Sequence, residues 1–261
     1  MKKIGFIGAG KMAQAIIFGL SDKSALMISG RNQQKNQETA LKLGVAAAAS
    51  NSELAQACDL IVLSVKPQTV SLVLSEISAS LTTEKTLISI AAGLDLQSLS
   101  DMTAPNQPIV RVMPNVNAAI QQSTSAIVRN EQVSDSNYQL IKSLFEQVGS
   151  IHEIAEKDFS CFSALSGSSP AFIYMFIDAM ARAGVRYGLS KELATRISAE
   201  TLAASAQNVL KSGEHPQALA DSVASPAGTT IEGIVALENH NFNAAVISAI
   251  EATIKKEESL S

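Results

Sequence analysis

Ile4-Gly5-Phe6-Ile7-Gly8-Ala9-Gly10-Lys11-Met12-Ala13 is the stretch that decides the fold. A short apolar strand, Lys3–Ile7, runs into the pattern G-x-G-x-x-A, and a helix is predicted to follow over Lys11–Ser21. Gly8 permits the tight turn, Gly10 lets a ligand come close to the backbone, and Ala13 is small enough for the helix to pack against the strand. The first N–H groups of a helix have no partner in the helix, and its dipole is positive at that end. Lys11 and Met12 stand there beside Gly8 and Gly10. A glycine-rich turn alone says little. Set between a strand and a helix, it is the fingerprint of a dinucleotide pyrophosphate seat.

Further strands are predicted at Leu26–Ser29, Leu60–Val65, Thr86–Ile90 and Ile109–Met113, with helices near Gln33–Leu43, Ser52–Ala57 and Pro67–Ala79. The run Leu60-Ile61-Val62-Leu63 has no polar alternation, so both faces of that strand must be covered. Strand–helix alternation then implies parallel units with right-handed crossovers. A last strand pair, Ser125–Val128 and Ser150–Glu153, flanks a helix near Asp135–Val148. The expected fold class is α/β: a Rossmann-type, doubly wound, mostly parallel sheet over residues 1–154.

From residue 155 to 261 only helical patterns remain, at Pro170–Tyr187, Lys191–Lys211, Gly228–Asn239 and Phe242–Lys255. Pro170 suits a first helical turn, and Asn241 is placed to cap the last helix. Ala171-Phe172-Ile173-Tyr174-Met175-Phe176-Ile177 is apolar nearly all round, which a solvent-facing helix would not be. It belongs in a core or in a subunit interface, and this half is expected to be all-helical.

The 261 residues are 46% hydrophobic and 17% charged, which describes a globular chain. A net charge of −4 with no basic stretch argues against nucleic-acid binding. Cys58 and Cys161 have no partner at metal-ligand spacing and read as two buried free thiols, with no metal site expected. No signal peptide is recognised at the start, and no run of about 18 apolar residues suggests a membrane span. The expected setting is cytoplasmic.

At the end of the second strand, roughly 20 residues beyond the glycines, an NAD-binding unit places an acidic residue for the ribose hydroxyls. Here the sequence is Ser29-Gly30-Arg31-Asn32. No carboxylate stands there to repel a 2′-phosphate, and Arg31 can pair with one, with Ser29 and Asn32 as further donors. This selects NADPH, with NADH as the lesser possibility. Lys35 reads as solvated. The other strand ends that face the same crevice are Val65-Lys66-Pro67, Ala91-Ala92-Gly93 and Met113-Pro114-Asn115. Lys66 reads equally as a phosphate or ribose contact and as a surface lysine. Small residues at Ala91, Ala92 and Gly93 leave room for the nicotinamide, and Asn115 is placed to orient a carboxamide or a substrate carboxylate.

Two loops of the helical half, Leu165–Phe172 and Asp221–Thr230, are rich in Ser, Gly and Pro and open into helices. Both fit seats for a small carboxylate, and both fit ordinary helix caps. Together with Gly5–Ala13, Val65-Lys66-Pro67 and Arg111-Val112-Met113-Pro114-Asn115, they appear in the order found in pyrroline-5-carboxylate reductases, and the chain resembles that family over nearly its whole length. The resemblance implies that Ser29, Arg31 and Asn51 lie near the 2′-phosphate and ribose. It implies that Ser225, Gly228, Thr229 and Thr230 hold the substrate carboxylate. It also implies a dimer interlocked through the helical half, sometimes assembled into a ring of dimers. The chain departs from the family's usual glycine at Ser169 and Ala227. Either replacement brings strain if its position needs positive φ.

The implied reaction is hydride transfer from NADPH to the C=N carbon of 1-pyrroline-5-carboxylate. An imine is already electrophilic, so orientation does most of the work. This agrees with His152, His215 and His240, which stand in no catalytic constellation. Thr230 or water is left to pass the proton. Alternatives are a reductase of another cyclic imine or of a β-hydroxyacid, or a catalytically silent NADP(H)-binding protein.

Overall fold

The computed structural model describes residues 2–259, which fall into two compact units, 2–167 with 254–259 and 168–253. The first unit is built on one sheet of eight strands: β1 (Ile4–Ile7), β2 (Leu26–Ser29), β3 (Ala46–Ala47), β4 (Leu60–Leu63), β5 (Thr86–Ser89), β6 (Ile109–Met113), β7 (Ser123–Arg129) and β8 (Gly149–Glu153). Their spatial order is β3-β2-β1-β4-β5-β6-β7-β8. Every pairing is parallel except β6 with β7.

Helices α1 (Lys11–Gly19), α2 (Gln33–Leu43), α3 (Asn51–Ala57), α4 (Pro67–Ile77), α5 (Leu96–Asp101) and α6 (Asp135–Glu146) cover the sheet. Strand side chains alternate between two cores. Phe6, Ile28 and Val62 pack with Ile16, Ile17 and Phe145, while Ile7, Ile61 and Leu63 pack with Leu54, Val70 and Leu74. Each such side chain contributes about 1.5–3 kcal/mol by leaving water. Continuous apolar strands and a doubly covered sheet are thus the same fact. The two-residue β3 and the six-residue α5 carried no sequence signal, because Ala-Ala has no strand preference and α5 is under two turns.

Register brings the strand ends together. Ile7 lies opposite both Ser29 and Leu63, and Leu63 opposite Ser89. The chain therefore leaves β1, β2, β4 and β5 at one level. The order reverses between β1 and β4, where such sheets bind ligands.

The chain goes on through α7 (Phe159–Phe162) and a wider π-helical segment, Ser163–Ser168, within which the division between the units falls. The second unit holds α8 (Ser169–Arg186), α9 (Lys191–Ser212), α10 (Pro216–Val223), α11 (Thr229–Asn239) and most of α12 (Phe242–Glu258). Pro170 sits in the first turn of α8. Asn241 adopts φ 56° after α11, and its carbonyl accepts from the Ala245 N–H to start α12. Asp178 on α8 accepts from Arg182 and from Lys191 on α9. A Cβ on Gly184 would lie 2.9 Å from the Ala194 Cβ, so α8 and α9 approach closely only because residue 184 has none.

Few apolar side chains of this second unit are buried. Tyr174 is 56% exposed, Met175 72% and Ile247 59%. A helical unit this open needs a further apolar surface to cover it. The helical stretch Glu156–Arg186 is long and apolar enough, by length and composition only, to cross a membrane, although it holds no unbroken run of about 18 apolar residues.

Candidate active site

The turn after β1 is wedged between its neighbours. Gly8 has φ 98° and donates its N–H to the Ser29 carbonyl at 2.8 Å, and a Cβ on it would lie 2.4 Å from the Ser64 carbonyl oxygen. Gly10 differs. A Cβ there would meet nothing within 4 Å, so the protein's own packing does not require glycine. What glycine preserves is open space at the start of α1, where no side chain caps the helix. Uncapped N–H groups beside that space suit the pyrophosphate of a dinucleotide.

A cavity of about 370 Å³ extends from this turn along the strand ends. Gly8, Gly10, Arg31, Asn32, Asn51, Val65 and Lys66 line it, as does Lys35, which is therefore not merely solvated. Three cations and no carboxylate contribute to the lining, while Val65, Thr69 and Val73 supply an apolar wall. That combination fits a phosphorylated nucleoside: charge for the phosphates and a flat apolar seat for a ring.

Other expected contacts are placed differently. Ser29 is fully buried and its hydroxyl donates to Asn51 Oδ1 at 2.8 Å, so it steadies Asn51 and does not line the cavity. Asn32 caps α2, its Oδ1 accepting from the Lys35 N–H, which leaves only its amide nitrogen for a ligand. Lys11, Met12 and Pro67 lie outside the lining; Met12 packs against the core beside β1 and Pro67 opens α4. Ala91 is buried and Ala92 exposed, and Gly93 takes φ 72°, a backbone that favours glycine.

Asn115 is committed within the protein. Its amide nitrogen donates to the carbonyl and hydroxyl of Ser166, at 3.1 and 3.2 Å, and its Oδ1 accepts from the Asn117 N–H. Ser166 Oγ in turn donates to the Thr124 carbonyl at 2.6 Å. Asn115 therefore holds the π-helical segment with its amide. The reading of Leu165–Phe172 as a loop is corrected, because those residues are helical. Ser168 is itself helical, so the segment runs into α8 without exposing a fresh helix N-terminus. Ser169 lies in that helix, where its replacement of glycine brings no backbone strain.

Gly228 precedes α11 in extended conformation, and no side chain caps that helix. A Cβ on Gly228 would lie 2.3 Å from Ser225 Oγ, so a side chain there would displace the Ser225 hydroxyl. Ser225 and Thr229 are exposed, and Thr230 is half-buried in the first turn. Ala227 takes φ 57°, so here the replacement of glycine does carry strain.

Elsewhere, His215 Nδ1 accepts from the Gln217 N–H and caps α10. Burial pushes the Cys58 thiol up to about 11 and keeps it unreactive. Cys161, expected to be buried, is exposed on α7: its apolar sequence neighbours turn inward on a helix while it turns out.

A doubly wound sheet with a glycine turn, a cation-lined cleft at its switch point and a helical second unit defines a dinucleotide-dependent oxidoreductase. The NADP oxidoreductase, coenzyme F420-dependent family matches residues 3–93, and the pyrroline-5-carboxylate reductase dimerisation family matches residues 156–260. The chain is 39% identical to the pyrroline-5-carboxylate reductase of Escherichia coli (strain K12), over 100% of this chain and 98% of that one. It is 38% identical to that of Glycine max, over 99% and 96%. Among solved structures, the Streptococcus pyogenes 1-pyrroline-5-carboxylate reductase matches with TM-score 0.91 at 42% identity, over 99% and 98% of the two chains. The Plasmodium falciparum pyrroline carboxylate reductase with NADP bound matches with TM-score 0.89 at 34% identity, over the same shares. The chain belongs to the pyrroline-5-carboxylate reductase family.

Proposed function

We propose that this chain reduces the C=N bond of 1-pyrroline-5-carboxylate with NADPH, giving L-proline. One observation carries the reading beyond family membership. Among the described residues, two helices start uncapped behind a glycine at the cap position: α1 behind Gly10 beside a cation-lined cleft, and α11 behind Gly228 among hydroxyls. The first suits a pyrophosphate and the second a small carboxylate.

Gly8 and Gly10 shape the pyrophosphate seat. Arg31, with Asn32 and Lys35, holds the 2′-phosphate, while Asn51, Val65 and Lys66 flank the adenosine and its ribose. NADPH, when bound, supplies the hydride. Ser225, Gly228, Thr229 and Thr230 hold the substrate carboxylate and so orient the imine face. The imine carbon gains the hydride and its nitrogen gains a proton, which Thr230 or water delivers. Histidine, cysteine and metal take no part. Ser169, being helical, gives no ground for a silent site.

The functional division falls near residue 154, with the cofactor half before it and the substrate and dimerisation half after it. The exposed apolar faces of α8 and α12 are covered by a second copy, giving a homodimer or a larger ring of dimers. The enzyme works in the cytoplasm, free of membrane and nucleic acid. A substrate panel tests the reading: NADPH oxidation with 1-pyrroline-5-carboxylate, a six-membered cyclic imine and a β-hydroxyacid. Turnover concentrated on the five-membered imine supports it, and preference for either other class overturns it. Thr230→Val separates the proton's route; undiminished turnover and affinity would assign it to water.

A further inference from the structure

Asn51 sits at the start of α3 and lines the cofactor cleft. An amide side chain can face a ligand with its oxygen or its nitrogen, and the two choices recognise opposite partners. Here the choice is made outside the cleft. Asn51 Nδ2 donates to Glu76 Oε2 at 2.6 Å, near the end of α4. A carboxylate only accepts, so the nitrogen must face Glu76 and the oxygen must face Ser29, whose buried hydroxyl donates to it at 2.8 Å. Ser52 Oγ also donates to the Glu76 carbonyl at 2.9 Å, which stitches the start of α3 to the end of α4.

The consequence is directional. One lone pair of the Asn51 oxygen and one of its two amide hydrogens are taken within the protein, which fixes which way round the amide sits. The second N–H is left to donate to a ligand. Glu76 follows Thr69 and Val73 at helical spacing on α4, and both of those line the cleft, so it stands at the cleft's edge without being part of its lining.

We infer that Glu76 is a specificity-determining positioning residue: by fixing the Asn51 amide as a donor, it favours the acceptor-only 2′-phosphate of NADPH over the ribose hydroxyl of NADH. This rests on the reading of the cleft as an NADP(H) seat. It assigns to a carboxylate outside the lining a part in phosphate recognition, through the orientation it gives the Asn51 amide.

Glu76→Ala frees the Asn51 amide to rotate, whereas Glu76→Gln keeps an acceptor oxygen at similar reach. The test is cofactor binding to the full-length protein by fluorescence titration, with NADPH and NADH in parallel, plus steady-state kinetics. Glu76→Ala is expected to weaken NADPH by about tenfold, because the Asn51 amide no longer holds its N–H toward the charged 2′-phosphate. NADH should change less than about twofold, the kinetic effect should fall on KM for NADPH rather than on kcat, and Glu76→Gln should restore most of the NADPH/NADH ratio. An unchanged ratio in Glu76→Ala, or equal loss of both cofactors, overturns the inference. Failure of the unsubstituted protein to bind NADPH would instead overturn the reading of the cleft.

Discussion

The α-carbon of Gly8 faces the carbonyl of Ser64 so closely that a methyl group there would lie 2.4 Å from its oxygen. The ends of β1 and β4 are held at that spacing by their parallel register, so neither can withdraw cheaply. With φ at 98°, any side chain at Gly8 is strained twice. Gly8→Ala should cost about 2 kcal/mol or more, and should abolish NADPH binding even where the protein still folds. Thermal melting and cofactor titration of the same sample check both halves.

Arg31 lies in the cleft with no carboxylate among the lining residues. Arg31→Ala should weaken NADPH by about 10- to 100-fold, the range expected for a hydrogen-bonded charge pair, and NADH far less. Equal losses for both cofactors would show that Arg31 does not contact the 2′-phosphate.

Ala227 holds φ 57° in the turn before α11. Ala227→Gly relieves strain of about 1 kcal/mol, partly offset by a more flexible unfolded chain. A rise in Tm of about 2 °C is expected, with substrate KM no worse than before.

Met175 is 72% exposed on α8 beside Phe172 and Phe176 in an apolar groove. Sedimentation should show a homodimer or larger. Met175→Glu should shift the mass toward monomer, because a charge buried in such an interface is left without a partner.

The parts of this account that could be read from sequence are local ones. Gly8 through Ala13 declares a turn and a helix within a few residues, and Leu60–Leu63 declares its own burial. What escaped depends on distant partners. Ser29 reads as a phosphate donor until Asn51, 22 positions away, takes its hydroxyl. Glu76 has no motif of its own, and only the packing of α4 against α3 brings it to Asn51. The Ser163–Ser168 segment looks like a loop because Ser and Gly dominate it. Its helical continuity goes with the hold of Asn115 on Ser166, 51 positions away. Cys161 misled because residue type suggested burial, while the face of α7 on which it sits decided exposure.

The central claim is tested most directly by following NADPH absorbance with 1-pyrroline-5-carboxylate while measuring proline, and repeating with NADH. The account predicts proline formed in equal molar amount to NADPH consumed, with higher kcat/KM for NADPH than for NADH. NADPH binding without oxidation, or oxidation without proline, would contradict it.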